Sequence, residues 1–411
     1  MTAAERVARA CEVCGHTGLD PVLDLGLHPL CDDLVPIGEQ RVCAEYPVEI
    51  LLCPVCLTAH QRHSVPKREL FPPTYHYRSR FTADVLDGMR GLAAAVEARL
   101  GGLAGRLVLD VGCNDGSLLG FFRERGARTL GVEPTDAYSD AVDAGHEVLA
   151  DYFTPELAQR LLGSHGHPDV ITFTNVFAHI EDLPTLLASL RVLLGEQTLL
   201  VIENHYLGSV LDGCQFDTFY HEHPRTYSAR SFRFVAQSLG LALLDIGFPS
   251  RYGGNIRVTL GRGSIPAACT ALELSLEQRE SGFPAAFATM RASMENWRQR
   301  KSRWIRERVA ESGPMRAKAF PGRAAILIRL LGLDVDAIEA VYEKSGSKKI
   351  GHYVPGTRIP ILPDDELFAS PNPKSPLLNL AWHISEEIRA HLRQHGYVAE
   401  VRDILSPEDL H

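Results

Sequence analysis

Arg106-Leu-Val-Leu-Asp-Val-Gly-Cys-Asn-Asp-Gly-Ser-Leu-Leu119 is the stretch on which the fold turns. Leu107 to Val111 read as a buried strand, Gly112 and Gly116 bracket a tight turn, and a helical pattern resumes near Ser117. Glycines let a ligand approach the backbone at a helix N-terminus, where N–H groups point outward. The next strand, Thr129-Leu-Gly-Val-Glu133, ends in an acid 23 positions after Asp110, where a carboxylate can hold the two hydroxyls of a ribose. Asp110, Gly112, Asn114, Gly116 and Glu133 are the candidate nucleoside-binding residues. A dinucleotide fold would want Gly-x-Gly-x-x-Gly, whereas this turn is Asp-x-Gly-x-Asn-x-Gly.

Further strands extend the same domain. Asp169-Val-Ile-Thr-Phe-Thr-Asn175 and Thr198-Leu-Leu-Val-Ile-Glu203 flank a helical segment from Leu183 to Leu194. Alternating strand and helix imply a parallel, doubly wound sheet with its ligand cleft at the carboxyl ends of the strands. Asn175, Phe177 and His179 follow one strand end and belong in that cleft, although His179 could equally cap a helix or sit in the core. Glu203-Asn-His-Tyr206 follows the next strand and leads to Phe219-Tyr-His-Glu-His-Pro-Arg-Thr-Tyr227. The run from Tyr220 to His223 can bring a proton acceptor, its orienting partner and a hydrogen-bond donor together, because histidine titrates nearest neutrality. A polar loop or a metal-binding tract is the plainer reading of the same residues.

Cys11-Glu-Val-Cys14 and Cys53-Pro-Val-Cys56 are two matched Cys-x-x-Cys pairs, the pattern of a four-thiolate structural zinc site. Strand-like pieces fill the gap between them, at Val22–Leu25 and Pro47–Leu52. At 411 residues the chain exceeds what one core supports, so two or three domains are expected. Net charge of −9 argues against a general nucleic-acid binder. No apolar run reaches the roughly 18 residues of a membrane span, and the first residues lack a signal-peptide core, so a cytoplasmic protein with reduced or metal-bound cysteines is expected.

Beyond residue 264 a long amphipathic helix is expected over about 265–312, with Leu272, Leu274, Leu276, Phe283, Phe287, Met290, Met294, Trp297 and Trp304 as its core stripe. A second α/β unit begins after Pro314. Its Lys349, His352 and Arg358, near glycines and a prolyl turn, could receive a phosphorylated substrate, with a solvated loop as the alternative. The division expected is a zinc-binding domain over 1–75, an α/β nucleoside-binding domain over 76–264 and a helical connector with a C-terminal α/β domain over 265–411.

The turn at Asp110–Gly116 resembles motif I of class I S-adenosylmethionine-dependent methyltransferases, with Asn114 where many members carry glycine. Taken with both cysteine pairs, Tyr75-His-Tyr-Arg-Ser79, Tyr220-His-Glu-His223, Gly253-Gly-Asn-Ile-Arg257 and Tyr353-Val-Pro-Gly-Thr-Arg-Ile-Pro-Ile361, the chain resembles the sugar 3-C-methyltransferases of deoxysugar biosynthesis along nearly its whole length. The resemblance implies a class I methyltransferase doubly wound sheet between an N-terminal zinc-binding module and a C-terminal α/β domain. It implies S-adenosylmethionine as cofactor, structural zinc, and a nucleotide-linked keto sugar as the small-molecule substrate of a monomer or homodimer that binds neither nucleic acid nor membrane. It also implies His223 as general base beside Tyr220 and Glu222, and Tyr75 or Tyr77 at the sugar. The chain departs from the family where Ala319-Phe-Pro-Gly-Arg-Ala-Ala325 replaces a Gly-Tyr-Gly-Ala type turn.

Other readings of the same motifs are an O- or N-methyltransferase of natural-product biosynthesis, a C-methyltransferase of a non-sugar keto substrate, and a non-catalytic scaffold. A histidine-based zinc hydrolase would need His-Glu-x-x-His, which His221 and His223 do not provide.

Overall fold

A strand covered on both faces is predominantly apolar, and Leu107–Val111 (β1) is buried throughout, its single charged residue Asp110 included. With Arg128–Val132 (β2), Glu147–Leu149 (β3), Val170–Thr174 (β4), Leu199–His205 (β5), Ala242–Gly247 (β6) and Asn255–Gly261 (β7) it forms a seven-stranded sheet ordered 3-2-1-4-5-7-6. β1 to β5 run parallel, and β7 is antiparallel to both β5 and β6. The order reverses between β1 and β4, so the connections leave in opposite directions and open a crevice at the carboxyl ends of those two strands.

Helices cover the sheet. Ala83–Leu100 (α1) and Ser117–Arg123 (α2) contribute Val85, Met89, Leu92, Leu118 and Phe122 to a core shared with Val108, Val170 and Val201. Pro155–His165 (α3) and Leu183–Leu193 (α4) both begin with a side-chain cap, Thr154 and Asp182, and a proline in the first turn. Ala229–Ser238 (α5) starts in a capping box at Ser228 and Ser231. Ala267–Glu280 (α6) ends in a buried carboxylate that accepts from Ala229 N (2.7 Å), Arg230 N (3.1 Å) and the Tyr206 hydroxyl (2.9 Å), matching negative charge to the N-terminus of α5.

This computed structural model describes residues 6–71, 78–81, 83–250, 253–369 and 375–410. They fall into two compact units, the first made of Met1–Asp20, Leu51–Val210 and Glu222–Pro284, the second of Pro21–Ile50, Leu211–His221 and Ala285–His411. Among the described residues no helix is long and apolar enough to cross a membrane.

The second unit carries most of Phe283–Ser312 (α7) and a fully parallel five-stranded sheet. Its strands are Met315–Lys318 (β8), Ile338–Glu343 (β9), Ile361–Pro363 (β10), Leu377–Asn379 (β11) and Val401–Asp403 (β12), ordered 10-9-8-11-12 and joined in part by Ala324–Leu331 (α8) and Ser385–Gln394 (α9). Trp297 of α7 is fully buried, its indole N–H donating to Ile404 O at 2.8 Å. The single helix expected over 265–312 is two, α6 and α7, divided at Ser281 and Gly282. Leu274, expected in its core stripe, is instead 64% exposed, because α6 turns a different face inward than one continuous helix would.

Residues 21–50 pack within this second unit. Arg329 of α8 donates to Leu27 O (3.3 Å) and Glu45 (3.0 Å), and Val35–Pro36 pairs antiparallel with His352–Tyr353. His221 and His383, also in the second unit, are held neutral by burial, which lowers their pKa values to about 4 and about 3. In the unfolded chain such imidazoles titrate near 6.5, so below that pH the unfolded state binds protons that the folded state refuses. Stability is expected to be full above about pH 6.5 and to fall on acidification, by roughly 1.4 kcal/mol per pH unit for each group. Thermal melts between about pH 8 and pH 4.5 measure it, and a Tm that stays flat below 6.5 would contradict it.

Candidate active site

The four paired cysteines converge. Their sulfurs all lie within 4.8 Å of one another, with Cys11 to Cys56 at 3.3 Å and Cys14 to Cys53 at 3.5 Å. Four thiolates around one tetrahedral zinc, at about 2.3 Å each, stand about 3.8 Å apart, so the donor set fits the ion. Each pair ends in a left-handed residue, Gly15 (φ 78°) and Leu57 (φ 57°), whose N–H returns to the first cysteine's carbonyl at 2.8 and 2.9 Å. Around the sulfurs, Thr58 Oγ1 lies 3.0 Å from Cys56 Sγ, and the Ser228 and Ser231 hydroxyls donate to Cys56 O at 3.0 and 3.2 Å.

The Gly112–Gly116 turn occupies the crevice between β1 and β4. Gly112 (φ 73°), Asn114 (φ 50°) and Gly116 (φ 76°) are all left-handed, and asparagine is the side chain that best tolerates this conformation where glycine is absent. A Cβ on Gly112 would lie 2.5 Å from Val176, and one on Gly116 would lie 2.9 Å from Ala141, so the close approach these glycines permit is to protein atoms. Glu133 Oε2 accepts from Asn114 N (3.0 Å), and its Oε1 accepts from Thr135 N (2.9 Å) and Thr135 Oγ1 (2.6 Å). Asp110 accepts from Thr172 Oγ1 at 2.6 Å across the strand pair, and burial raises its pKa to about 7, with Glu133 adding to the shift. Arg78 and Ser79, the end of the Tyr75–Ser79 motif, latch onto this turn: Ser79 N donates to Asn114 Oδ1 (3.1 Å) and Arg78 reaches Asp136 and Asp140 at 2.7 Å. Tyr75 and Tyr77 lie outside the described residues.

Asn175 is also left-handed (φ 54°) and is held by Asn255, whose amide donates to Asn175 Oδ1 and Glu203 Oε1, both at 3.1 Å. Arg257 completes this buried support with a 2.6 Å ion pair to Glu203. The Gly253–Arg257 motif therefore serves to fix Asn175.

Three imidazoles gather at the same rim. His223 is buried, its ring edge-on to His179 (4.8 Å, 87°) and tilted against His205 (5.1 Å), and Phe71 lies 5.3 Å from His179. Burial, then the neighbouring His223, holds the His179 pKa well below its ordinary value. Glu222 is buried beside His223 in sequence, while Tyr220 is half-buried and falls in the second unit with His221. Thr174 Oγ1, His179 Nδ1 and both polar atoms of the Asn204 amide are buried and find no protein partner among the described residues. Polar groups orphaned at the carboxyl ends of β4 and β5 are what a bound polar ligand would satisfy. Sequence spacing did not single out His205 or Thr174 for this cluster.

In the second unit, Lys349 Nζ donates to Phe320 O at 2.9 Å and His352 Nδ1 lies 3.3 Å from Ile350 O. Arg358 donates to the carbonyls of Glu39 (2.7 Å), Gln40 (3.1 Å) and Arg41 (3.2 Å) and lies over the Tyr353 ring. Ala319 adopts φ 61°, and the following Phe320 N donates to Glu343 at 2.6 Å. Arg323 in the same turn is bound by the Asp217 carboxylate at 2.6 and 2.9 Å, which also accepts from the Trp382 indole at 2.8 Å.

Comparison with known families decides what this assembly is. Three family models match in succession: a zinc binding domain over residues 11–71, a methyltransferase domain over 85–246 and a C-methyltransferase C-terminal domain over 250–400. The chain is an S-adenosylmethionine-dependent methyltransferase. The C-methyltransferase NovU of Streptomyces niveus is 28% identical to this methyltransferase over 389 residues, 92% of this chain and 90% of that protein. A ubiquinone biosynthesis O-methyltransferase of Acinetobacter baumannii is 30% identical over 105 residues, 24% of this chain and 43% of that one. The magnesium protoporphyrin IX methyltransferase of Synechocystis PCC 6803, solved with bound SAH, is 18% identical over 44% of this chain and 84% of that one, with a TM-score of 0.36. S-Adenosylmethionine is the methyl donor of this methyltransferase and zinc its structural ion.

Proposed function

We propose that the chain methylates the carbon next to a ketone, C-3 of a nucleotide-linked 4-keto-deoxysugar, after His223 removes the α-proton. The observation that carries this reading is the buried His223 seated against His179 and His205 at the carboxyl rim of the sheet. A neutral imidazole in a water-poor setting is a suitable acceptor for a carbon acid near neutral pH. His179, kept neutral by burial, adds no positive charge that would hinder that proton's arrival. Glu222 orients an imidazole, and Tyr220 donates to the enolate oxygen as charge develops there.

S-Adenosylmethionine supplies an electrophilic methyl group. The chain's part is to hold it: the Gly112–Gly116 turn and Asp110 line the nucleoside, Glu133 accepts from the ribose, and Asn175 and His179 face the remainder. Glu133→Ala is expected to weaken its binding by about 1.5–3 kcal/mol, roughly 10- to 150-fold, the loss of hydrogen bonds to a charged acceptor. Calorimetry measures this, and unchanged affinity would take Glu133 out of the site. Tyr75 or Tyr77 contacts the sugar in a cytoplasmic monomer or homodimer.

The deciding experiment incubates a nucleotide-linked 3-deoxy-4-keto sugar with enzyme in heavy water. Deuterium should enter at the carbon next to the ketone, and added S-adenosylmethionine should give a C-methyl product. An O- or N-methyl product without carbon exchange would overturn the reading.

A further inference from the structure

Arg225 stands two residues beyond His223, and its buried guanidinium touches both the zinc module and the loop that carries His179. Its Nε donates to the Tyr227 hydroxyl at 3.0 Å. One terminal nitrogen donates to the Glu12 carboxylate and reaches Glu181 O at 3.4 Å; the other donates to Ile180 O and reaches Glu181 O at 3.5 Å. Glu12 lies between the zinc ligands Cys11 and Cys14, and Ile180 directly follows His179. The backbone is fixed from the same side. Arg225 and Thr226 pair antiparallel with His60 and Ala59, a few residues after Cys56, and Gln61 N donates to Pro224 O at 2.9 Å. His60 Nε2 in turn lies 3.3 Å from Cys11 Sγ.

We propose that Arg225 is a positioning residue: through Glu12 it ties the zinc-bound knuckle to the Ile180–Glu181 carbonyls and so holds His179 against His223. This rests on the reading of His223 as the base. A guanidinium suits the task because its planar fork can meet a carboxylate on one edge and two successive carbonyls on the other, which a lysine ammonium cannot do at once. The arrangement also gives the zinc module a consequence at the active site without zinc touching the reaction, since the knuckle fixes Glu12, Glu12 fixes the guanidinium, and the guanidinium fixes the loop.

The test uses full-length, zinc-loaded protein and two conservative variants, Glu12→Gln and Arg225→Lys, so that failure of one to fold leaves the other. Each should retain one zinc per chain and bind S-adenosylmethionine within about twofold of the native chain, since neither residue is a ligand to zinc or lies in the cofactor turn. Hydrogen exchange should rise about tenfold or more over residues 177–182 while residues 107–116 keep native protection. The kcat should fall roughly 10- to 100-fold with KM little changed, the effect of a catalytic group displaced by a fraction of an ångström to one ångström. Exchange unchanged over 177–182, exchange raised equally over both segments, or an unaltered kcat would each overturn the proposal. Exchange is read without turnover, so a native rate in His223→Ala would remove the base assignment while the protection pattern still decides what Arg225 holds.

Discussion

Stripping zinc from the protein, or replacing Cys11 and Cys53 by serine, is expected to unfold the N-terminal module and abolish methyl transfer. Structural zinc in small modules contributes an apparent 10–16 kcal/mol, roughly, of folding free energy, comparable to or above the whole stability of a typical domain, about 5–15 kcal/mol. Its two knuckles, whose cysteines face a common centre, stand beside the short strands Arg6–Val7, Ala59–Gln61 and His63–Ser64. The loss should spread beyond the module. Ser228 and Ser231, which cap α5, spend hydroxyls on Cys56 O, and Thr58 Oγ1 lies 2.8 Å from Ser231 Oγ, so a disordered knuckle withdraws partners from a helix start in the methyltransferase domain. Metal analysis gives the stoichiometry, expected at one per chain. Thermal melts with and without chelator give the stability, and an apoprotein or double variant as stable as the native chain would refute the assignment.

The elements legible in the sequence are those whose causes are local. The β1–turn–α2 unit announces itself through an uninterrupted apolar strand and glycines at fixed offsets, and both Cys-x-x-Cys pairs carry their geometry in their spacing. Leu183–Leu193 is likewise marked by its Asp182 cap and early proline. Other features depend on which segments meet. The sequence places Glu203–Tyr206 at a strand end on the same rim as the Tyr220–His223 run, but not the His205 ring against His223, because that contact arises from the folding of two strand-end loops. The same holds for Arg225, which reads as one basic residue after a proline until Glu12 and Ile180 are brought to it from distant parts of the sequence. The strand-like residues between the cysteine pairs gave no sign of their partners, since Arg329 and Arg358, which bind Leu27 O and the Glu39–Arg41 carbonyls, come from the far end of the chain. Even the turn glycines were legible only in part. Their positive φ follows from the pattern, but the protein atoms packed against Gly112 and Gly116 come from Val176 and Ala141.

His223→Ala and His223→Asn are expected to lower methyl transfer by about 10²–10⁴-fold, the usual contribution of a positioned general base, while leaving S-adenosylmethionine affinity near native. The prediction separates proton abstraction from methyl transfer. If His223 removes the α-proton, both variants lose deuterium exchange at the substrate carbon even with no methyl donor present, because enolate formation precedes the bond to the methyl group. Asparagine is the more searching replacement. It fills much of the same buried volume between His179 and His205 and can still donate a hydrogen bond, but at neutral pH it cannot accept a proton as a base. A large loss in both variants with cofactor binding retained therefore isolates basicity from packing. Should the alanine variant alone lose activity, the ring's contribution would be its contact with His179 and His205. Exchange retained in both variants would leave carbon methylation standing and pass the proton to another group, with His179 and Tyr220 the next to test.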